Sequence, residues 1–225
     1  MKVLIHACPQ RMWYVEEFLA PNLRSQGAAA DEVGIFLDDR RLGNLRACMA
    51  AFAACEGDGG TWHIQDDVLP CRDFVKRCSE YENDKVVYGF CCQRFTDDPD
   101  QTGLVHTPDA WHSFQCVRIP DEYARECAEW FFSEGWQKST LPELQILKGM
   151  RKGDDTFFRE FLQLHHPYDL VRNVKPNLVD HIDWLLGGSV LSHWRDYLAR
   201  AEFWEDETLV EDIKREIKRR NAPGE

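Results

Sequence analysis

The chain has 225 residues, of which 44% are hydrophobic and 29% are charged, and its formal net charge is −12 at pH 7. This composition is that of a globular protein and excludes a disordered chain. The acidic balance argues against a protein that coats nucleic acid, because phosphate contacts need clustered Lys and Arg. No apolar run approaches the roughly 20 residues that span a bilayer. Nine cysteines without a C-x-x-C pair favour free thiols in a reducing cytoplasm, most of them in the core.

Strand and helix patterns alternate through the first half of the chain. Apolar, β-branched runs predict strands at 2–8, 33–37, 61–64 and 84–90. Apolar residues at helical spacing predict helices at 12–23, 42–55 and 73–81. This alternation predicts a mostly parallel sheet with crossover helices.

The second half of the chain is less regular. Residues 93–110 are polar, contain two prolines and are expected to form a long loop, which in a compact domain is usually functional or mobile. We expect strands at 113–119 and 176–182, helices at 120–136, 156–164 and 192–220, and a turn at 151–155. The chain is therefore expected to be one α/β domain over residues 1–190, with a mostly parallel central sheet flanked by helices, and a helical extension over 191–225.

The most informative segment is Gln65-Asp66-Asp67, where an apolar strand ends in two adjacent carboxylates. Ligands of parallel sheets bind at the carboxyl ends of the strands. Adjacent carboxylates repel each other unless they are solvated or neutralised by a cation. Mg²⁺ or Mn²⁺ bridging to a diphosphate would neutralise both. A surface turn with two solvated acids is the alternative.

Three other segments carry polar groups at the ends of predicted elements. Asp38, Asp39 and Arg40 follow a strand, where the acids could hydrogen-bond a nucleoside and Arg40 a phosphate, or an acid could cap the next helix. Asp154 and Asp155 open a helix, as an N-cap or as a general base that the helix start keeps ionised. His181 ends an apolar strand, where an imidazole is structural or completes a metal site.

Taken in order, the segments HACPQR, FLDDRR, HIQDDV, KGDDTFF and PNLVDHI resemble the layout of GT-A fold glycosyltransferases. The phrase NLVDHIDWLLGGS is similar to a late segment of small bacterial and phage members. The usual D-x-D metal motif is replaced here by Gln65-Asp66-Asp67. The resemblance spans about residues 1–190. It implies a metal bound by Asp67 and His181, with Asp155, and Asp154 second, as the base that activates the acceptor. It implies a nucleotide held by Pro9, Arg11, Asp38, Asp39, Arg40, Asn44, Gln65 and Asp66.

The resemblance implies a Mn²⁺- or Mg²⁺-dependent enzyme that uses a nucleotide-sugar, with a UDP-sugar favoured. The placement of KGDDTFF favours an inverting transfer over a retaining one, which would need no base there. The expected free thiols favour a cytoplasmic location. The acceptor is a hydroxymethylated base of phage DNA, in which case the location is the host cytoplasm, or a surface glycan. Trp111, Trp130, Trp136 and Trp184 are candidate stacking platforms, although core packing is expected for most of them. A nucleotidyltransferase and a non-catalytic nucleotide-binding module are the alternatives from other classes.

Overall fold

The structure is a computed structural model. It describes residues 1–82, 85–91, 104–106, 114–133, 153–168, 171–174, 177–183, 185–186 and 207–221. Three of the candidate stacking residues, Trp111, Trp136 and Trp184, lie outside the described residues. The same holds for most of the expected loop 93–110 and for the first part of the expected C-terminal extension.

A seven-stranded sheet forms the centre of the fold, in the order β2-β1-β3-β7-β5-β8-β6. Its strands are β1 (Lys2–Ala7), β2 (Val33–Leu37), β3 (Gly60–Gln65), β5 (Val87–Gly89), β6 (Leu104–His106), β7 (Cys116–Pro120) and β8 (Val171–Asn173). Five strands run in one direction, and β6 and β7 run in the other. The expected mostly parallel α/β sheet is thereby confirmed. Strands β4 (Val68–Pro70) and β9 (Val179–His181) form a separate antiparallel pair.

Helices cover both faces of this sheet. The helical segment α1 comprises Met12–Tyr14, a π-helical stretch Val15–Leu19, and Ala20–Ser25. It is followed by α2 (Asn44–Ala53), α3 (Phe74–Cys78), α4 (Asp121–Phe132), α5 (Asp154–His165) and α6 (Glu207–Asn221). Short 3-10 turns occupy Pro9–Arg11 and Ala30–Glu32. One apolar cluster packs α1, α3 and α6 against the sheet, and a second packs α2, α4 and α5 against it.

The alternation of side chains along the strands explains these two clusters. In β1 the buried residues Val3, Ile5 and Ala7 belong to the first cluster. In β7 Cys116 belongs to the first cluster, whereas the next residue, Val117, belongs to the second. Successive side chains of a strand point to opposite faces, so a sheet covered on both sides needs apolar residues at nearly every position. Seven of the eight described cysteines are buried free thiols, which confirms their expected place in the core.

Several sequence predictions about single elements need correction. Leu104–His106 is a strand, although it lies inside the region predicted as a loop. Strands β4 and β8 were not predicted. Helix α5 begins at Asp154, before the predicted start, and its N-cap is Gly153, whose φ of 122° suits glycine, so neither Asp154 nor Asp155 is the cap. Helix α2 begins at Asn44, after an N-cap glycine at 43.

None of the helices in the described part of the chain is long and apolar enough to cross a membrane.

Candidate metal and acidic site

The loops that follow β1, β2 and β3 meet at one edge of the sheet. These strands are parallel and adjacent, so their carboxyl ends lie side by side. The backbone N–H of Asp38, just after β2, donates to the carbonyl of Ala7 at the end of β1, at 2.9 Å. The register also pairs His6 of β1 with Gln65 of β3. The segments after Ala7 and Gln65 are therefore placed next to each other.

Asp66 and Asp67 are buried at this edge, each with 7% of its surface exposed. The Asp66 carboxylate accepts hydrogen bonds from the backbone N–H of Cys8, at 2.6 Å, and from Nη1 of Arg11, at 3.0 Å. The same Nη1 lies 2.6 Å from Oδ2 of Asp67. The alternative of a surface turn with solvated acids is therefore wrong: the two acids are enclosed, and a guanidinium lies between them.

Burial and the paired charges shift the pKa values of the two acids in opposite directions. Burial, followed by the charge of Asp67, raises the pKa of Asp66 above its usual value. Burial would also raise the pKa of Asp67, but the hydrogen bonds and charges of His181 and Arg11 outweigh it and lower that pKa. Asp67 is therefore the carboxylate that stays ionised most readily.

The pairing of β4 with β9 brings His181 to Asp67. Val68 and His181 are partners in this ladder, and the backbone N–H of Ile182 donates to the carbonyl of Asp67 at 2.7 Å. Nε2 of His181 then lies 3.3 Å from Oδ2 of Asp67 and 3.8 Å from Oδ2 of Asp183. One ligand atom from each of these three residues lies within 4.8 Å of the other two. The structure thus brings the two predicted metal ligands together.

Asp183 is a third possible ligand that sequence reasoning missed. It is 2% exposed and stands two residues after His181, just beyond the end of β9. The signal in the sequence is the H-x-D spacing, since alternate residues of an extended chain share a side. This signal carries little information unless the position of the strand end is known.

The chemistry of these residues fits a hard divalent cation. Mg²⁺ and Mn²⁺ prefer carboxylate oxygens, and Mn²⁺ also accepts imidazole nitrogen. Oδ1 of Asp67 is buried and has no hydrogen-bond partner among the described residues. Buried carboxylate oxygens in proteins nearly always have a partner, so this oxygen has an unused acceptor position. The Asp67–His181–Asp183 group, hereafter the cation cluster, could therefore bind such an ion.

A second acidic group lies on the other face of the sheet edge, at the start of α5. Nε2 of Gln65 donates to Oδ2 of Asp154 at 3.1 Å, and the backbone N–H of Asp155 donates to Oδ1 of Asp154 at 2.9 Å. Burial, followed by the charge of Asp155, raises the pKa of Asp154 to about 7, although a hydrogen bond from Asn44 opposes the shift. Asp155 is half-buried and accepts from the backbone N–H of Thr156 at 2.7 Å. Gln65 is thus directed toward α5 and contacts Asp154.

The residues predicted to hold the nucleotide are distributed around this edge. Asp38 accepts from the backbone N–H groups of Leu42 and Gly43, at 2.8 and 3.2 Å, and so fixes the loop that precedes α2. Asp39 and Arg40 are exposed. Pro9 and Arg11 form the 3-10 turn after β1. Arg11, predicted to be near a nucleotide, is engaged with the two carboxylates instead.

Of the four tryptophans considered as stacking platforms, Trp130 lies within the described residues. Its ring stacks on that of Phe157, with centroids 4.8 Å apart, and it packs against the second apolar cluster. This contact between α4 and α5 supports the expected packing role for Trp130.

Comparison with protein-family models and with curated proteins found no relative of this chain. No protein-family model matches the chain, and no curated protein matches its sequence.

Proposed function

We propose that this protein is a divalent-metal-dependent glycosyltransferase that moves a sugar, preferably from a UDP-sugar, to an acceptor hydroxyl. The observation that carries the proposal is the cation cluster, which lies beside the carboxyl edge of parallel strands and includes an Asp67 oxygen that no described residue hydrogen-bonds. A nucleotide bound at this edge would place its phosphates near the loops after β1 and β3. The described α/β sheet is compatible with the GT-A layout that the sequence resembles.

The donor side of the proposal rests on charge. Asp66, Asp67 and Asp183 supply three carboxylates within a buried region, and Arg11 supplies one guanidinium. A nucleotide-sugar would add two further negative charges, which this region cannot accept without an added cation. A divalent ion held by Asp67, His181 and Asp183 would supply that charge and stabilise the departing diphosphate. Arg11, Asp38, Asp39 and Arg40 would bind the nucleotide itself, with Asn44 beside them.

The acceptor side rests on the acids at the start of α5. In an inverting transfer a carboxylate must take the proton of the acceptor hydroxyl. Asp155 is half-buried and is the more accessible of the two, whereas Asp154 is enclosed and contacts Gln65. We assign the proton acceptor to Asp155, with Asp154 as the second candidate.

The first experiment is a thermal-shift panel of UDP, UDP-glucose, UDP-galactose and the corresponding GDP compounds, each with and without Mn²⁺. A ligand that binds only the folded state raises the melting temperature. We expect stabilisation by a uridine compound that requires Mn²⁺ and disappears in Asp67→Ala. Asp58→Ala is the matched control, because Asp58 is exposed and precedes β3 at the opposite end of that strand. No response to any nucleotide in the presence of Mn²⁺ would refute the proposal.

The second experiment measures transfer. The stabilising donor is incubated with Mn²⁺ and either 5-hydroxymethylated duplex DNA or a panel of glycans, and released UDP is quantified. We expect Asp155→Asn to abolish release while the donor-induced thermal shift persists. Loss of both signals in a folded Asp155→Asn variant would assign a structural role to Asp155. Acceptor-dependent release with only one substrate class would identify the acceptor.

A further inference from the structure

Arg11 has a position that the proposed function does not explain. It was expected to hold the nucleotide, yet its Nη1 lies 3.0 Å from Oδ1 of Asp66 and 2.6 Å from Oδ2 of Asp67. Its side chain is only 15% exposed. A buried guanidinium with two carboxylate partners is held by strong, charge-assisted hydrogen bonds.

The backbone fixes Arg11 in this place. The 3-10 turn Pro9–Arg11 begins directly after β1, and the backbone N–H of Arg11 donates to the carbonyl of Cys8 at 3.1 Å. The backbone N–H of Cys8 in turn donates to Oδ2 of Asp66. Asp66 is therefore held by the turn at two points and is the anchor of Arg11. Asp67 is shared, since the oxygen that Arg11 contacts is also the one nearest to His181.

Because Arg11 and His181 share one oxygen of Asp67, the charges around Asp67 affect how a cation can bind. One guanidinium lies among the buried carboxyl groups of Asp66, Asp67 and Asp183, so the acidic side chains outnumber the arginine, and a bound cation would reduce the repulsion among them. A cation in the cluster and the guanidinium both require Asp67, and they repel each other over a short distance. Either the cation displaces Nη1 from Asp67, or it binds through Oδ1 against the field of Arg11.

We propose that Arg11 is the resident counter-charge of the Asp66–Asp67 pair and competes with a divalent cation for Asp67. Cation binding shifts the guanidinium from Asp67 while its bond to Asp66 keeps it at the site. This inference rests on the proposed function for the cation cluster alone, and not on sugar transfer.

The test is a calorimetric titration of the full chain with Mn²⁺ in the absence of nucleotide. Removing the competing charge in Arg11→Gln is expected to tighten Mn²⁺ binding by at least roughly tenfold. Arg11→Lys keeps a positive charge and is expected to remain within about threefold of the wild type. Arg24→Gln, which removes an exposed arginine of α1, is the control and should leave the affinity unchanged. Arg11→Gln combined with Asp67→Asn should lose the gain.

Two results would overturn the inference. The first is a folded Arg11→Gln that binds Mn²⁺ no more tightly than the wild type, including the case in which neither protein binds it. The second is an equal gain in Arg11→Lys, because the effect would then not depend on the charge.

A measurement on the wild type covers the case in which Arg11→Gln does not fold. The ¹⁵N side-chain resonance of Arg11 is followed during a titration with Mg²⁺, which is diamagnetic. We expect it to shift at saturation and to stay unmoved in Asp67→Asn. An unmoved resonance in a wild-type protein that binds Mg²⁺ would refute the competition. Protein that shows the expected Arg11 effects but transfers no sugar would refute the proposed function and leave this inference standing.

Discussion

Asp154 offers a quantitative test of the acidic group at the start of α5. Its carboxyl is 5% exposed, and burial together with the charge of Asp155 raises its pKa from 3.8 to about 7. An acid whose pKa is raised by folding gives up stability as pH rises from the unfolded value through the folded one. The difference of about three pKa units corresponds to about 4 kcal/mol above pH 8. Asp154→Asn removes the ionisation and should recover that free energy.

The amide should keep the existing hydrogen bonds. Its oxygen can still accept from the backbone N–H of Asp155, and rotation of the Gln65 amide allows Gln65 to accept where it now donates. We therefore expect the variant to equal the wild type in stability near pH 4. It should exceed the wild type by up to about 4 kcal/mol at pH 8.5.

Urea unfolding in EDTA at several pH values between 4 and 8.5 measures this difference by linear extrapolation. The comparison of variant with wild type cancels the titration of all other groups that the substitution leaves unchanged. Asp58→Asn, at an exposed turn, is the control and should give a difference that does not depend on pH. A difference in unfolding free energy between Asp154→Asn and the wild type that stays constant across this pH range would refute the burial of the Asp154 carboxyl. A difference that grows toward acidic pH would refute it too.

Three further predictions concern the packing of the sheet and its helices. Burial lowers the pKa of His6 to about 4. The wild type should therefore lose up to about 3 kcal/mol of unfolding free energy relative to His6→Gln as pH falls from 6.5 to 4. The same urea unfolding series measures this loss. A Cβ at Gly60 would stand 2.6 Å from the guanidinium of buried Arg118, so Gly60→Ala should lower the unfolding free energy by about 1–3 kcal/mol in urea. Ile213 of α6 is fully buried in the first apolar cluster, so Ile213→Ala should lower the unfolding free energy by about 2–5 kcal/mol in urea. If the C-terminal helix were an independent extension, it would instead unfold in a separate transition.

The part of the fold that the sequence predicts well is the part with strong periodicity. β1 and β2 are mainly apolar and β3 alternates apolar with polar residues; each is followed by a break and a helical pattern, and their parallel arrangement follows from that order. The position of Asp38, Asp66 and Asp67 at one edge then follows from topology. β6 and β8 have three residues each, too few for a period to be detected, and both were missed.

The candidate site was predictable only as far as its residues lie at the ends of such strands. Asp67 and His181 could be named because each ends an apolar run, but their contact depends on the three-residue ladder between β4 and β9. Pairing between short segments far apart in sequence leaves no local pattern. Asp183 was overlooked for the same reason, since its value as a ligand depends on the position of His181.

The pair Asp66–Asp67 shows where charge reasoning needs the structure. Two adjacent carboxylates in a buried turn require a positive partner, whereas the sequence alone left open whether this pair is solvated or neutralised by a cation. The partner in the described residues is Arg11, which stands far from the pair in sequence and reaches it because β1 and β3 are neighbours. The backbone N–H of Cys8 and Nη1 of Arg11 both donate to Asp66, but within the described part of the chain Oδ1 of Asp67 has no partner. Asp66 therefore has its positive partner, whereas Asp67 shares that partner and uses one of its two oxygens, Oδ2, for both Arg11 and His181.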